Sequence, residues 1–287
     1  MRAAVFAVVL LAAGQARAQE QVNADIPAAI AAIDAETHCY VHPGPEEGAS
    51  RAVCVWKPRQ LARAPLPVLY MADGMDGVHI AVLDIKPAIL AGTIAPMMVV
   101  ASDPLARPED RAGEYLRGFA GSRRFELHER WLIEKVLPWA ERSQNASPER
   151  TRRFIGGFSN GADLALALAN DHPELFGGAL IHSPVGANAG WVQAGAATQR
   201  WVVTGGTQET RGSVERGGQL PREIAQALER RGAPVRTCIG RWAHQGRIWR
   251  QLSPGSLAWL MGLGAPELAE SPFERGKCTM ANDHPPA

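Results

Sequence analysis

The chain has little that would take it into a membrane: its apolar run from Ala3 to Ala13 falls well short of the roughly 20 residues that a bilayer span requires. It also lacks a dominant charge. With 30 Lys and Arg against 29 Asp and Glu, nothing in the global balance attracts nucleic acid or an anionic surface. Internal repeats and low-complexity linkers are missing, which excludes a solenoid or a tethered array. Cysteine is scarce, with residues only at 39, 54, 238 and 278. Their spacing matches neither a zinc site nor a C-x-x-C pair. No metal and no organic cofactor is expected.

What is present begins with a processing signal. Arg2 precedes the apolar run and Ala16-Arg17-Ala18 fits a small-x-small cleavage site, so residues 1–18 are expected to be removed on export. Without Arg2 and Arg17 the basic count falls from 30 to 28 against 29 acidic residues, a net charge of minus one. Residues 19–287, about 270 in all, are enough for one large domain. The destination is a periplasm or the cell exterior, where disulfides persist. Of the three possible pairings the preferred one joins Cys39 to Cys54 across a hairpin and Cys238 to Cys278, which would pin the C-terminal tail.

Two short β-prone runs, 38–42 and 51–56, flank a Pro/Gly/Glu turn and predict an antiparallel pair. Six further apolar runs follow, at 66–71, 95–100, 152–158, 178–182, 200–205 and 235–239, and helix-like segments separate most of them. Runs apolar on both faces suit buried parallel strands. The clearest helices are 127–141, 160–170, 221–232 and 248–262, the third opening on Pro221 and closing on Gly232. The pattern predicts an α/β fold with a mostly parallel central sheet, helices on both faces and an N-terminal antiparallel strand pair. The Pro-rich tail from Ala265 is expected to be irregular.

Within this frame Gly157-Phe158-Ser159-Asn160-Gly161 fits G-x-S-x-G, entered by an apolar strand and left by an Ala/Leu-rich helix. That setting holds a serine hydroxyl on a sharp turn above the sheet edge, and it makes Ser159 the candidate nucleophile. A serine needs a base, and a base needs an orienting acid. His244 follows the last apolar run and precedes the final helix, whereas His182 comes too early in the chain and His172 reads as a cap or surface residue. Glu209, just beyond 200–205, is the acid in the right order; Asp163 belongs to the helix after the serine and is expected to point elsewhere. The oxyanion of an acyl-transfer intermediate requires two backbone N–H donors. One is Asn160. The other is Met75 or Gly74, in the turn after 66–71.

Taken together these residues resemble the Putative esterase family of α/β hydrolases, which includes enterochelin esterases, S-formylglutathione hydrolases, feruloyl esterases and mycolyltransferases. The resemblance runs from about Leu66 to Leu260 through LYMADG, ARPEDRAGEY (106–115), ELHERWLIEKVLPWAE, GGFSNG, HPELFGGALIHSP, GGTQE and AHQGRIWRQLSPGSLAWL, and is closest to the enterochelin-esterase-like branch. It implies an α/β-hydrolase fold, Ser159, His244 and Glu209 as the triad, and Met75 as the second oxyanion donor. Trp242-Ala243 replaces the Gly-Gly that often precedes the histidine, and Gln245 replaces the common Asp after it. Some siderophore-cleaving relatives work with Ser and His alone, which puts the weight of Glu209 in question.

The implied activity is ester hydrolysis through an acyl-enzyme, with a small-molecule ester as the partner. The branch suggests an enterobactin-type siderophore ester, for which Arg111, Arg247 or Arg250 would meet anionic or metal-chelating groups and Trp191 or Trp242 would stack on rings. The alternatives are a carbohydrate or aryl esterase of feruloyl or acetyl type, an acyltransferase, and a non-catalytic binding protein on a hydrolase fold. The sequence does not specify an oligomeric state.

Overall fold

Alternation of side chains along each strand generates the two cores of the molecule. In the computed structural model, which describes residues 28–58, 65–104, 108–209, 218–263 and 277–280, the strand β3 (Val68–Ala72) is wholly buried. Val68, Tyr70 and Ala72 face one core, while Leu69 and Met71 face the other, as a period of two requires. The same division splits Ile155 from Phe154 on β5 (Arg153–Phe158), Ile181 from Leu180 on β6 (Gly178–His182) and Val203 from Val202 on β7 (Arg200–Gly206). Each such side chain taken fully from water stabilises the fold by about 1.5–3 kcal/mol before entropy is counted.

These strands join β1 (Thr37–Pro43), β2 (Ser50–Trp56), β4 (Met98–Ser102), β8 (Val235–Gly240) and β9 (Lys277–Met280) in one sheet, ordered β1-β2-β4-β3-β5-β6-β7-β8-β9 among the described residues. The strands from β4 through β8 are parallel, while β1 and β2 form an antiparallel pair that meets β4 antiparallel. Cys39 and Cys54 stand opposite each other in that pair and are disulfide-bonded, as expected. Cys238 is also disulfide-bonded, and the register sets Cys278 directly across from it. The tail is therefore not irregular throughout: Lys277–Met280 forms an edge strand antiparallel to β8. The expected signal segment, 1–18, lies outside the described residues. No helix among those described is long and apolar enough to cross a membrane.

Helices cover both faces. One face carries α1 (Gly74–Leu90) and α7 (Gly246–Leu260), whose Val78, Val82 and Ile85 share a core with Ile248, Leu252 and Leu257. The other carries α2 (Pro108–Tyr115), α3 (Arg123–Trp131), α4 (Leu137–Gln144), α5 (Asn160–Asp171) and α6 (Gln219–Arg230), joined in their core by residues such as Phe125, Leu166 and Ile224. A single π-helical turn, Leu132–Val136, links α3 to α4 without interrupting the helix. From β3 the chain goes outward to β4, then returns to place β5 on the opposite side of β3. Such a reversal opens a crevice at the C-terminal ends of the strands, and the candidate residues lie on the loops along that edge.

Candidate active site

Ser159 ends β5 and caps α5 with φ 58° and ψ −131°. A non-glycine residue there carries local strain on the order of 1–3 kcal/mol. The turn closes only because its flanks are small: a Cβ at Gly157 would lie 2.2 Å from the Gly161 carbonyl oxygen, and one at Gly161 would lie 2.8 Å from Ala72 Cβ. The Ser159 N–H donates to the His182 carbonyl across to β6 at 3.0 Å, and the Ser159 carbonyl accepts from Ala162 N–H at 2.9 Å. Backbone contacts thus hold the turn from both sides and leave the hydroxyl at its apex. Asn160 is the first residue of α5, so its N–H has no partner within the helix and sits at the positive end of the helix dipole.

His244 and Glu209 meet as the chain order implies. Glu209 follows β7, only 2% exposed, and its Oε2 is 3.0 Å from His244 Nδ1. Its other oxygen, Oε1, accepts from the Ser183 hydroxyl and from the Gly206 N–H, each at 2.7 Å. The β7 and β8 loops are tied together by Thr207 N–H to Gly240 carbonyl at 2.8 Å and Gln208 N–H to Trp242 carbonyl at 3.1 Å. A carboxylate facing Nδ1 requires the proton on that nitrogen and leaves Nε2 bare. The Trp249 ring lies between the two halves of the site: it stacks on Phe158 at 4.9 Å and meets His244 edge-on at 4.8 Å. Among the described residues no hydrogen bond of 3.5 Å or less joins the Ser159 hydroxyl to His244.

Met75 stands in the first turn of α1. Asp73 caps that helix with φ 68°, and its carboxylate receives both Nε and Nη2 of Arg111, at 2.5 and 2.8 Å. The Asp73 N–H donates to the Tyr115 hydroxyl at 3.0 Å, while the Arg111 guanidinium lies over the Tyr115 ring. Asp73 Oδ2 also approaches Gly161, 3.2 Å from where its Cβ would be, so one carboxylate braces the Met75 turn against the helix that follows Ser159. Beside it, Asp103 is packed so closely on Gly74 that a Cβ there would fall 1.4 Å from Oδ1. Burial, with the Asp76 and Asp73 charges, raises the Asp103 pKa against a hydrogen bond from the Met75 backbone.

Two expectations about substrate contacts are corrected. Trp242 is 1% exposed, its ring wedged against Gly240, where a Cβ would fall 1.6 Å from it; it is a core side chain and offers no face to a ligand. Arg111, expected to meet an anionic substrate, is bound in fork geometry by Asp73. Arg250 is likewise paired with Asp84 at 2.7 Å. The remaining titratable candidates fall where the sequence put them. His182 is buried, its Nδ1 2.7 Å from Thr204 Oγ1; His172 pairs with Glu129. Asp163 turns away from the serine to accept from the N–H groups of Val185, Gly186 and Ala187. Among the described residues no cluster of His, Cys, Asp or Glu could hold a metal ion.

Local sequence does not mark Ser183 as part of the site, and Trp249, five residues beyond His244, joins the two. Ser183 follows β6 with φ 52°, fully buried, and its hydroxyl oxygen accepts from Trp249 Nε1 at 2.8 Å while donating to Glu209. The signal available was positional: a serine directly beyond a parallel strand, on the edge that carries the site.

Comparison with known proteins agrees with this architecture. A family model described as "Putative esterase" matches residues 46–237. No match was found among curated protein sequences. Among solved structures, a ferulic acid esterase superposes with a TM-score of 0.63 at 16% identity, covering 79% of this chain and 97% of its own. An S-formylglutathione hydrolase from Agrobacterium tumefaciens gives 0.59 at 16%, covering 79% and 94%. The enterobactin esterase from Shigella flexneri gives 0.59 at 17%, covering 79% of this chain but 58% of its own, so this chain spans little over half the length of that protein. At these identities the likeness shows a shared fold.

Proposed function

The chain belongs to the Putative esterase family, and we propose that it is an exported serine ester hydrolase whose nucleophile is Ser159, whose base is His244 and whose acid is Glu209. The observation that carries this reading is the hydrogen-bonded Glu209–His244 pair on the same sheet edge as a serine held at φ 58° between two indispensable glycines. Glu209 keeps the imidazole proton on Nδ1, so Nε2 takes the Ser159 proton as the oxygen attacks the ester carbonyl. Asn160 N–H donates to the resulting oxyanion, and Met75 N–H joins it by leaving the Asp103 carboxylate to which it donates in the free protein. The imidazolium then protonates the departing alcohol. Water, activated by the same histidine, cleaves the acyl-enzyme and restores the serine.

Export is supported by the disulfide chemistry of Cys39, Cys54 and Cys238, which suits an oxidising compartment, and by the signal-like segment 1–18. Cleavage after residue 18 would release the α/β-hydrolase domain that follows. For the substrate, an enterobactin-type trilactone is the first candidate. The engagement of Arg111 by Asp73 and the burial of Trp242 weaken two of the contacts that favoured an anionic, ring-bearing siderophore, and so bring aryl and acetyl esters forward as the second. The test is turnover of p-nitrophenyl acetate, methyl ferulate and the trilactone by purified 19–287, each beside Ser159→Ala and His244→Ala. Loss of either residue is expected to lower kcat on the order of 10⁶-fold. Activity retained in Ser159→Ala would overturn the assignment.

A further inference from the structure

The Glu209 carboxylate is held on two sides by different means. Oε2 faces His244, and Oε1 is filled by two donors, of which Gly206 N–H belongs to the backbone and the Ser183 hydroxyl does not. Ser183 has one proton to give, and its direction is set from behind: Trp249 Nε1–H occupies the hydroxyl oxygen at 2.8 Å, so the proton must point to Glu209. The residue is fully buried and in the left-handed region at φ 52°, where a non-glycine backbone persists only if its surroundings enforce it. The Ser183 N–H donates to the Thr204 carbonyl on β7 at 2.8 Å, which fixes the Cα. Trp249 in turn contacts both Phe158, the residue before the nucleophile, and His244. The chain Trp249–Ser183–Glu209–His244 is thus continuous in hydrogen bonds and in packing.

From this we propose that Ser183, oriented by Trp249, is a positioning residue for the hydrolase: it fixes the rotation of the Glu209 carboxylate and so keeps the second oxygen on His244 Nδ1. The proposal rests on the triad reading given above. Ser183 touches neither substrate nor the reacting atoms, so its effect passes through Glu209 alone. A carboxylate held only by Gly206 swings, and the imidazole it orients spends less time aligned with Ser159.

The test is a double-mutant cycle on the full mature chain with p-nitrophenyl acetate, combining Ser183→Ala with Glu209→Gln. Ser183→Ala is expected to lower kcat on the order of tenfold, the scale of one hydrogen bond to a charged group, with KM for this small neutral ester within about twofold of wild type. In the Glu209→Gln background the same substitution should cost nothing further, because the group it acts through is already disabled. Trp249→Phe keeps the ring contacts but removes the donor behind Ser183; it should give a smaller loss of kcat in the same direction, also absent in Glu209→Gln. It carries the test if Ser183→Ala does not fold. An equal loss in both backgrounds would mean that Ser183 only packs the core, and would overturn the proposal while leaving the triad intact. Wild-type kcat in Glu209→Gln itself would overturn the triad reading and this inference with it.

Discussion

Replacing Glu209 by Gln changes one atom type, and the structure dictates which one moves. The oxygen of the new amide must remain where Oε1 is, because that position accepts from both Ser183 and Gly206 at 2.7 Å; an NH₂ group there would face two donors. The amide nitrogen therefore turns to His244 Nδ1, now 3.0 Å from a donor instead of an acceptor. Nδ1 must become the acceptor and the imidazole proton moves to Nε2, the nitrogen that has to be bare to deprotonate Ser159. In serine proteases the corresponding acid-to-amide change costs about 10⁴ in turnover through the same tautomer reversal, equivalent to about 5.5 kcal/mol of transition-state stabilisation. A loss of 10³ to 10⁴ in kcat/KM is expected here. Thermal stability should change little, since every hydrogen bond is kept with its direction adjusted. The assay is initial-rate hydrolysis of p-nitrophenyl acetate from pH 6 to 9, with a melting curve as the control for folding. A fall of less than tenfold in a fully folded variant would show that the Glu209–His244 bond does not govern the tautomer, and that the chain works with Ser159 and His244 alone.

Gly157→Ala should destabilise the protein by about 1–3 kcal/mol or more, since its Cβ would meet the Gly161 carbonyl at 2.2 Å and neither backbone can withdraw without moving Ser159; an unchanged denaturant midpoint would contradict the elbow geometry. Arg111→Gln should lower kcat about tenfold, on the scale of one hydrogen bond to a charged group, equally for neutral and anionic acyl groups, because the fork to Asp73 braces the Met75 turn. A loss confined to anionic substrates, seen as a raised KM for those alone, would return Arg111 to substrate recognition. His128 and His182 are buried with pKa lowered to about 3, by desolvation in both and additionally by the Arg51 charge for His128. Their folded pKa values lie below the unfolded value, so the stability they contribute is present above about pH 6.5 and is lost as pH falls toward 3. The two histidines together lower stability by at most about 3 kcal/mol per pH unit below about pH 6.5, offset in part by Asp163, whose carboxyl pKa burial raises to about 7; urea unfolding at pH 7.0, 5.5 and 4.5 should show a net decline, and a rise in stability across that interval would refute their burial as neutral imidazoles.

The strands were legible because burial on both faces writes them as apolar runs: GALIH predicts and forms β6 from Gly178 to His182, and the hairpin before the sheet pairs as its residues suggest. The helix after β3 was not. Gly74, Gly77 and Pro87 lower its helix propensity, so the segment after β3 reads as a turn although it forms a helix of 17 residues. Gly77 is demanded by packing instead, since a Cβ there would lie 2.0 Å from the Ala72 carbonyl. In the site, Ser159, Glu209 and His244 were reachable from chain order and from the strand-turn-helix setting of the serine. Arg111 and Trp242 read as substrate contacts in the sequence because features that commit them elsewhere are non-local: Asp73 lies 38 residues from Arg111, and Trp242 packs on Gly206 of β7, where an added Cβ would fall 2.5 Å from its ring. Ser183 went unseen for the same reason, as its partners Glu209 and Trp249 stand 26 and 66 residues away.

The most direct test of the central claim is covalent labelling of the mature chain with a fluorophosphonate, followed by mass analysis of the modified peptide. An activated serine attacks the phosphorus and retains the adduct. The account predicts one adduct, on Ser159, absent in Ser159→Ala and formed far more slowly in His244→Ala. A folded wild-type protein that takes no label, or takes it at another residue, would contradict the assignment of Ser159 as the nucleophile.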